Sequence, residues 1–261
     1  MPRIKSGIPE LDEMLYGGFM PTDAVMVAGS AGTGKTTMAL QYLVNGITQS
    51  GENGLYLSFE QMPDQIYRDA ASFGWDLKKL EEEGKFRIVL TSPDILLAGG
   101  GENLLDELIK EIGAKRIAVD SLSHFAMFID EDKLRLEAYR LICFLKAKGL
   151  SSMYLWEAPQ LMGNSFSITE VGLSFLVDSI LLLRTIEIDS ALRKGLVIVK
   201  MRGSDHDKRL REYEITSNGV KVAAPFSGYE GIMSGSARRV TSLSEEDLYR
   251  KGLIKKNERK K

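Results

Sequence analysis

The residues Gly29-Ser30-Ala31-Gly32-Thr33-Gly34-Lys35-Thr36 carry the densest chemistry in this chain, in the pattern G-x-x-x-x-G-K-[ST]. Glycines in such a run let backbone N–H groups turn inward and form a concavity for phosphate oxygens. Gly32, Thr33 and Gly34 are the cradle. Lys35, Thr36 and Thr37 follow at the start of a helix whose N-terminal dipole also favours anions. Lys35 has the charge and reach for the β- and γ-phosphates, and the Thr36 hydroxyl is a ligand for Mg2+. The chemistry is the binding of a nucleoside triphosphate with magnesium.

Further candidates lie at strand ends. Asp120 closes the apolar run Arg116-Ile117-Ala118-Val119, where a carboxylate can hold magnesium through its shell or cap a helix. Glu60 ends the run Gly54–Phe59 and can orient or deprotonate an attacking water; the plainer reading is a polar strand end. In Lys200-Met201-Arg202 the strand period puts the two cations on one face and Met201 on the other. Like charges held together suit an anion opposite, such as a γ-phosphate reached in trans, or else surface carboxylates. His124, just past Asp120, reads as a structural residue beside the site rather than a base. Trp75, Trp156 and the scattered methionines read as packing.

These residues need elements to hold them. Ala24–Ala28 reads as a buried strand, and Leu40, Leu43, Val44 and Ile47 mark the helix after Thr36. Strands follow at 54–59, 86–90, 116–120, 151–156 and 177–183, with helices after Pro63, over Leu104–Ile112 and over Leu134–Lys148. Alternating strands and helices predict an α/β fold with a mostly parallel sheet covered on both faces. The segment from Gly195 to Val222, with a turn at Ser217-Asn218-Gly219, predicts antiparallel closing strands.

The chain has 261 residues, 34 basic and 36 acidic, for a net charge of −2. This balance argues against a generally basic nucleic-acid binder. The single cysteine, Cys143, excludes an intrachain disulfide; flanked by Leu141, Ile142, Phe144 and Leu145, it reads as core. No apolar run reaches a membrane-spanning length and the first residues lack a signal-peptide core, so the expected location is the cytoplasm. Residues 1–237 read as one P-loop nucleotide-binding domain and 238–261 as a basic, solvated tail, able to contact an acidic partner or nucleic acid.

Beyond single motifs, the chain resembles the KaiC-like ATPases of the RecA superfamily across residues 4 to 240. The resemblance is carried by Ser6-Gly7-Ile8-Pro9-Glu10-Leu11-Asp12, Gly17-Gly18-Phe19, Ala71–Leu77, Arg116–Ser123, Lys200–Lys208, Arg211–Thr216 and Gly231–Ser236. It implies a RecA-type core, ATP as the nucleotide, and homo-oligomeric rings, expected to be hexameric, with ATP between subunits. It also implies that Lys200 and Arg202 reach a neighbour's γ-phosphate, with Met201, Ser204, His206, Lys208 and Thr216 near that nucleotide. Ser72 and Phe73 would approach ATP from the P-loop side.

Three departures qualify what the resemblance implies. The cyanobacterial clock protein has two such domains in tandem, and here there is one. The family's usual pair of glutamates is Glu60-Gln61, and glutamine cannot accept a proton as a base. The serine-threonine pair of the phosphorylating domain is Ser174-Phe175, so one acceptor hydroxyl remains, read here as inert. The leading expectation is an ATP-hydrolysing ring that switches contacts with a regulatory protein. The alternatives are a nearly non-catalytic scaffold and a DNA recombinase or helicase, for which the stretch Gly163–Thr169 would be a channel loop but holds no Lys or Arg.

Overall fold

The computed structural model describes residues 2–96, 101–158, 172–232 and 238–239. The stretch 163–169 and the tail from 240 onward lie outside these residues.

In chain order the elements are α1 (Pro9–Met14), β1 (Ala24–Gly29), α2 (Lys35–Ser50), β2 (Gly54–Ser58), α3 (Pro63–Ala71), α4 (Leu77–Glu82), β3 (Phe86–Leu90), α5 (Pro93–Ile95) and α6 (Gly101–Ile112). There follow β4 (Arg116–Asp120), a 3-10 turn (Leu122–Met127), α7 (Glu131–Ala147), β5 (Ser151–Glu157), a second 3-10 turn (Leu173–Phe175), β6 (Ser179–Ile188) and β7 (Ala191–Met201). Strands β8 (Arg211–Thr216), β9 (Gly219–Pro225), β10 (Tyr229–Glu230) and β11 (Arg238–Arg239) complete the described elements.

Nine strands form one sheet in the order β3-β2-β4-β5-β1-β6-β7-β8-β9. The pairings from β3 to β6 are parallel; those from β6 to β9 are antiparallel. β1 is buried along its whole length. Its Val25 and Val27 face a core with Leu40, Leu43, Ile66 and Leu77, under α2, α3 and α4. Its Ala24, Met26 and Ala28 face a second core with Leu105, Ile109, Leu134 and Leu145, under α6 and α7. Two apolar faces explain the continuous hydrophobic run. Each fully buried large side chain contributes about 1.5–3 kcal/mol.

The P-loop helix α2 and the strand β4, which ends in Asp120, are locked together by a buried arginine. Arg116 is 1% exposed, pairs with Glu52 at 2.5 Å and donates to the Tyr42 carbonyl at 2.9 Å. Gly46, in the middle of α2, leaves room for it, since a Cβ there would lie 2.5 Å from the Arg116 side chain.

The β6–β7 hairpin is longer than the apolar run 177–183 predicts. It turns at Asp189-Ser190, both with positive φ (51° and 61°). Such turns favour Asn-Gly or Asp-Gly, so a hairpin without glycine gives little sequence signal. Cys143 is exposed, not core. On α7 Leu134, Ala138, Ile142 and Leu145 are buried and Leu141 and Phe144 pack partly against the core, which leaves Cys143 outside because an apolar run of five is wider than a helix face.

Candidate nucleotide site

β1 delivers the P-loop at its C-terminal end, and α2 begins immediately after it. The N-cap Gly34 has φ +91°, a left-handed conformation that favours glycine, and a Cβ there would lie 2.5 Å from the tip of the Ile215 side chain on β8. Lys35 Nζ donates to the carbonyls of Gly29 (2.8 Å) and Ser30 (3.0 Å). Burial lowers the Lys35 pKa, opposed by the carboxylates of Glu157 and Asp120.

β8 and β7 back the loop. The Tyr213 hydroxyl donates to the Thr33 carbonyl at 2.5 Å, and Lys194 Nζ donates to the Gly32 carbonyl at 2.5 Å. Lys194 is a second cation at the loop that motif reading does not find. Its place follows from the Lys194–Tyr213 register of β7 and β8.

Across the loop, Asp120 Oδ2 accepts from Thr36 Oγ1 (2.7 Å) and from the Tyr56 hydroxyl (2.5 Å). The Thr36–Asp120 pair supplies oxygen ligands alone, which suits magnesium. Tyr56 is fully buried on β2, and burial followed by the Asp120 charge raises its pKa well above the ordinary value. No motif announces Tyr56 either; parallel pairing of β2 with β4 brings it there.

Glu60 sits past the end of β2 with its side chain 74% exposed, 3.3 Å from His124 Nε2. Gln61 turns back through backbone bonds to the Ser58 hydroxyl. Ser72 ends α3 with its hydroxyl on the Asp69 carbonyl, and Phe73 packs on Trp75 at 4.9 Å. Trp75 lies by Gly219 and Gln41 of α2, on the P-loop side of the sheet.

Lys200 and Arg202 are elsewhere. Gly29 pairs with Leu183 of β6, whereas Lys200 pairs with Ile180 and the Arg202 N–H donates to the Asp178 carbonyl. They stand at the Ala24 end of β1, on the edge of the sheet opposite the P-loop. A bulge at Val199 re-aims the strand, since Leu196 and Ile198 face the α2 side and Met201 does too. Lys200 and Arg202 then reach the same turn. Lys200 Nζ donates to the carbonyls of Ser174 (2.7 Å) and Val177 (2.6 Å), and Arg202 to that of Phe175 (2.7 Å). Burial and the nearby Arg202 lower the Lys200 pKa.

Ser204 and Lys208 lie with this second group, Ser204 bonded to Arg3 and Lys208 to Asp205. His206 Nδ1 is buried without a hydrogen-bond partner among the described residues. Thr216 does not join them. It ends β8, beside Ile215 and the P-loop of its own chain, with its hydroxyl on the Gly219 carbonyl.

A mostly parallel sheet with a glycine-rich loop at the C-terminal end of its central strand, a lysine and threonine opening the next helix and a strand-end aspartate touching that threonine define a P-loop nucleotide-binding ATPase of RecA type. A family model described as "ATPase: KaiC" matches residues 4–227. The chain belongs to this KaiC ATPase family. It is 35% identical over 246 residues to the circadian clock protein KaiC3 of Synechocystis, covering 94% of this chain and 48% of that protein. It is also 35% identical over 251 residues to the circadian clock oscillator protein KaiC of Thermostichus vulcanus, covering 95% and 48%. The chain thus spans about half the length of these curated relatives. A crystal structure of the KaiC-like protein PH0186 from Pyrococcus horikoshii superimposes with a TM-score of 0.76 at 32% identity, covering 85% of this chain and 99% of that one.

Proposed function

We propose that the chain is a magnesium-dependent ATPase that works as a homo-oligomeric ring in the cytoplasm, with each ATP site completed by a neighbour. The observation carrying this reading is the two-edged sheet. One edge presents Lys35, Thr36, Asp120 and Glu60, and the opposite edge presents Lys200 and Arg202. A chain whose cations face away from its own P-loop supports their use on the P-loop of another copy, and a hexamer is the closed ring that family resemblance implies.

In this reading Gly32, Thr33, Gly34 and Thr37 cradle the phosphates, with Ser72 and Phe73 near the base on the same chain. Thr36 and Asp120 hold magnesium, which supplies positive charge to the developing phosphoryl transition state. Lys35 bears on the β- and γ-phosphates, while Glu60 orients the attacking water and takes its proton. Lys200 and Arg202 stabilise charge on the neighbour's γ-phosphate, flanked by Met201, Ser204, His206 and Lys208. Thr216, from its position on β8, serves its own chain's nucleotide. ATP state at these shared sites then sets the contacts offered to a regulatory protein.

The test is Mg-ATP hydrolysis per subunit against protein concentration. We expect activity that climbs and saturates as sites assemble. Lys200→Ala or Arg202→Ala should lower turnover about 10³-fold and change ATP affinity much less. Equal loss of both would remove the trans role. A second reading, a scaffold that binds ATP and hardly turns over, is favoured by Gln61 beside a largely exposed Glu60. It predicts negligible hydrolysis at every concentration with ATP still bound.

A further inference from the structure

We propose that His124 is a positioning residue that holds Glu60 in its working orientation, an inference resting on the reading of Glu60 as the group that handles the attacking water. Glu60 alone is poorly suited to that task. Its side chain is 74% exposed, and a solvated glutamate samples many rotamers. His124 Nε2 lies 3.3 Å from Glu60 Oε2, while His124 Nδ1 lies 3.0 Å from Ser121 Oγ. With Nε2–H donating to the carboxylate, Nδ1 pairs with the Ser121 hydroxyl, so the ring is held from both sides. One carboxylate oxygen is tied and the other stays free for water.

The backbone under this pair is held at several points. Phe59 and Phe125, the chain neighbours of Glu60 and His124, meet edge to face at 5.2 Å. The Phe59 N–H donates to the Asp120 carbonyl at 3.0 Å, and the His124 N–H to the Ser121 carbonyl at 3.1 Å. The same 3-10 turn is joined to β5 by the Ser123 hydroxyl on the Glu157 N–H at 2.7 Å. His124 therefore offers its ring nitrogen, 22% exposed, from an anchored turn to a largely exposed acid. Gln61, the adjacent polar residue, cannot replace Glu60 as a proton acceptor.

The test is steady-state Mg-ATP hydrolysis by the full chain carrying Glu60→Ala, His124→Ala, His124→Gln and the double change Glu60→Ala with His124→Ala. Glutamine at 124 keeps an N–H donor near the Nε2 position. We expect His124→Ala to lower kcat about tenfold with KM for ATP within about twofold, His124→Gln to restore most of the rate, and His124→Ala to add nothing once Glu60 is alanine. Unfolding temperatures identify any variant that fails to fold, and in that event His124→Gln and its double with Glu60→Ala carry the comparison. An unchanged kcat in His124→Ala, or an equal loss in the presence and absence of Glu60, overturns the inference and leaves the role of Glu60 standing. Undiminished hydrolysis in Glu60→Ala overturns that role, and the inference with it.

Discussion

At Asp120 two hydroxyls converge on one carboxylate oxygen, Thr36 from the P-loop helix and Tyr56 from the neighbouring strand. Thr36 is the residue expected to share magnesium with Asp120. Tyr56 is fully buried and donates to the same oxygen, a contact that would orient the acid toward a bound metal. Tyr56→Phe should raise the magnesium concentration for half-maximal turnover about 10-fold or more, with magnesium-free ATP binding unchanged; a magnesium titration at fixed ATP measures it. Asp23 is a second residue whose setting has a measurable consequence. Burial pushes its pKa up from 3.8 to about 6, with help from the nearby Asp178 and opposed by the Met20 N–H. Between about pH 4 and pH 6 the folded protein therefore keeps a proton on Asp23 that the unfolded chain has released. Its contribution to stability is full below about pH 4 and is lost as pH rises through about 6. Asp23→Asn should gain about 1–2 kcal/mol on wild type between pH 5 and pH 7.5 after solvent screening. Urea midpoints at the two pH values report it.

Helix α2 and strand β4 show how elements constrain one another beyond their own propensities. Taken alone, alanine in place of Gly46 should favour the helix by about 1 kcal/mol. Here Arg116 fills the space, bonded to Glu52 and to the Tyr42 carbonyl. Gly46→Ala should therefore destabilise the protein by about 2–4 kcal/mol, as a displaced buried charge loses its partners; denaturant unfolding gives the sign directly. The local signals, by contrast, are readable in the sequence. The P-loop, α2, β2, β3 and β4 emerge from motif and periodicity because each is specified by consecutive residues. Lys194 and Tyr56 do not, because strand register alone brings them to the loop and to Asp120. The bulge at Val199 and the Asp189-Ser190 turn are equally silent, since neither uses the glycine that usually announces such features. Glu60 and His124 are both visible in the sequence, yet their proximity depends on how the turn after β4 packs on the end of β2.

For the molecule as a whole, the architecture of a mixed sheet with an antiparallel flank follows from the order of apolar runs, and family membership confirms the RecA-type core. Among the described residues no helix is long and apolar enough to cross a membrane. What the order of elements alone does not convey is how the sheet connects its two edges. β7 holds Lys194 on the Gly32 carbonyl at one end and Lys200 on the Ser174 and Val177 carbonyls at the other. Five residues lie between the two lysines, and the six steps of extended chain span about 20 Å at roughly 3.3 Å per residue. β6 pairs with β7 along its length and β8 pairs with it over Lys194–Leu196, so one strand ties the backbone at the phosphate loop to the backbone at the cation pair. In the ring proposed above, each β7 would span its subunit from the nucleotide that subunit holds to the nucleotide it completes next door.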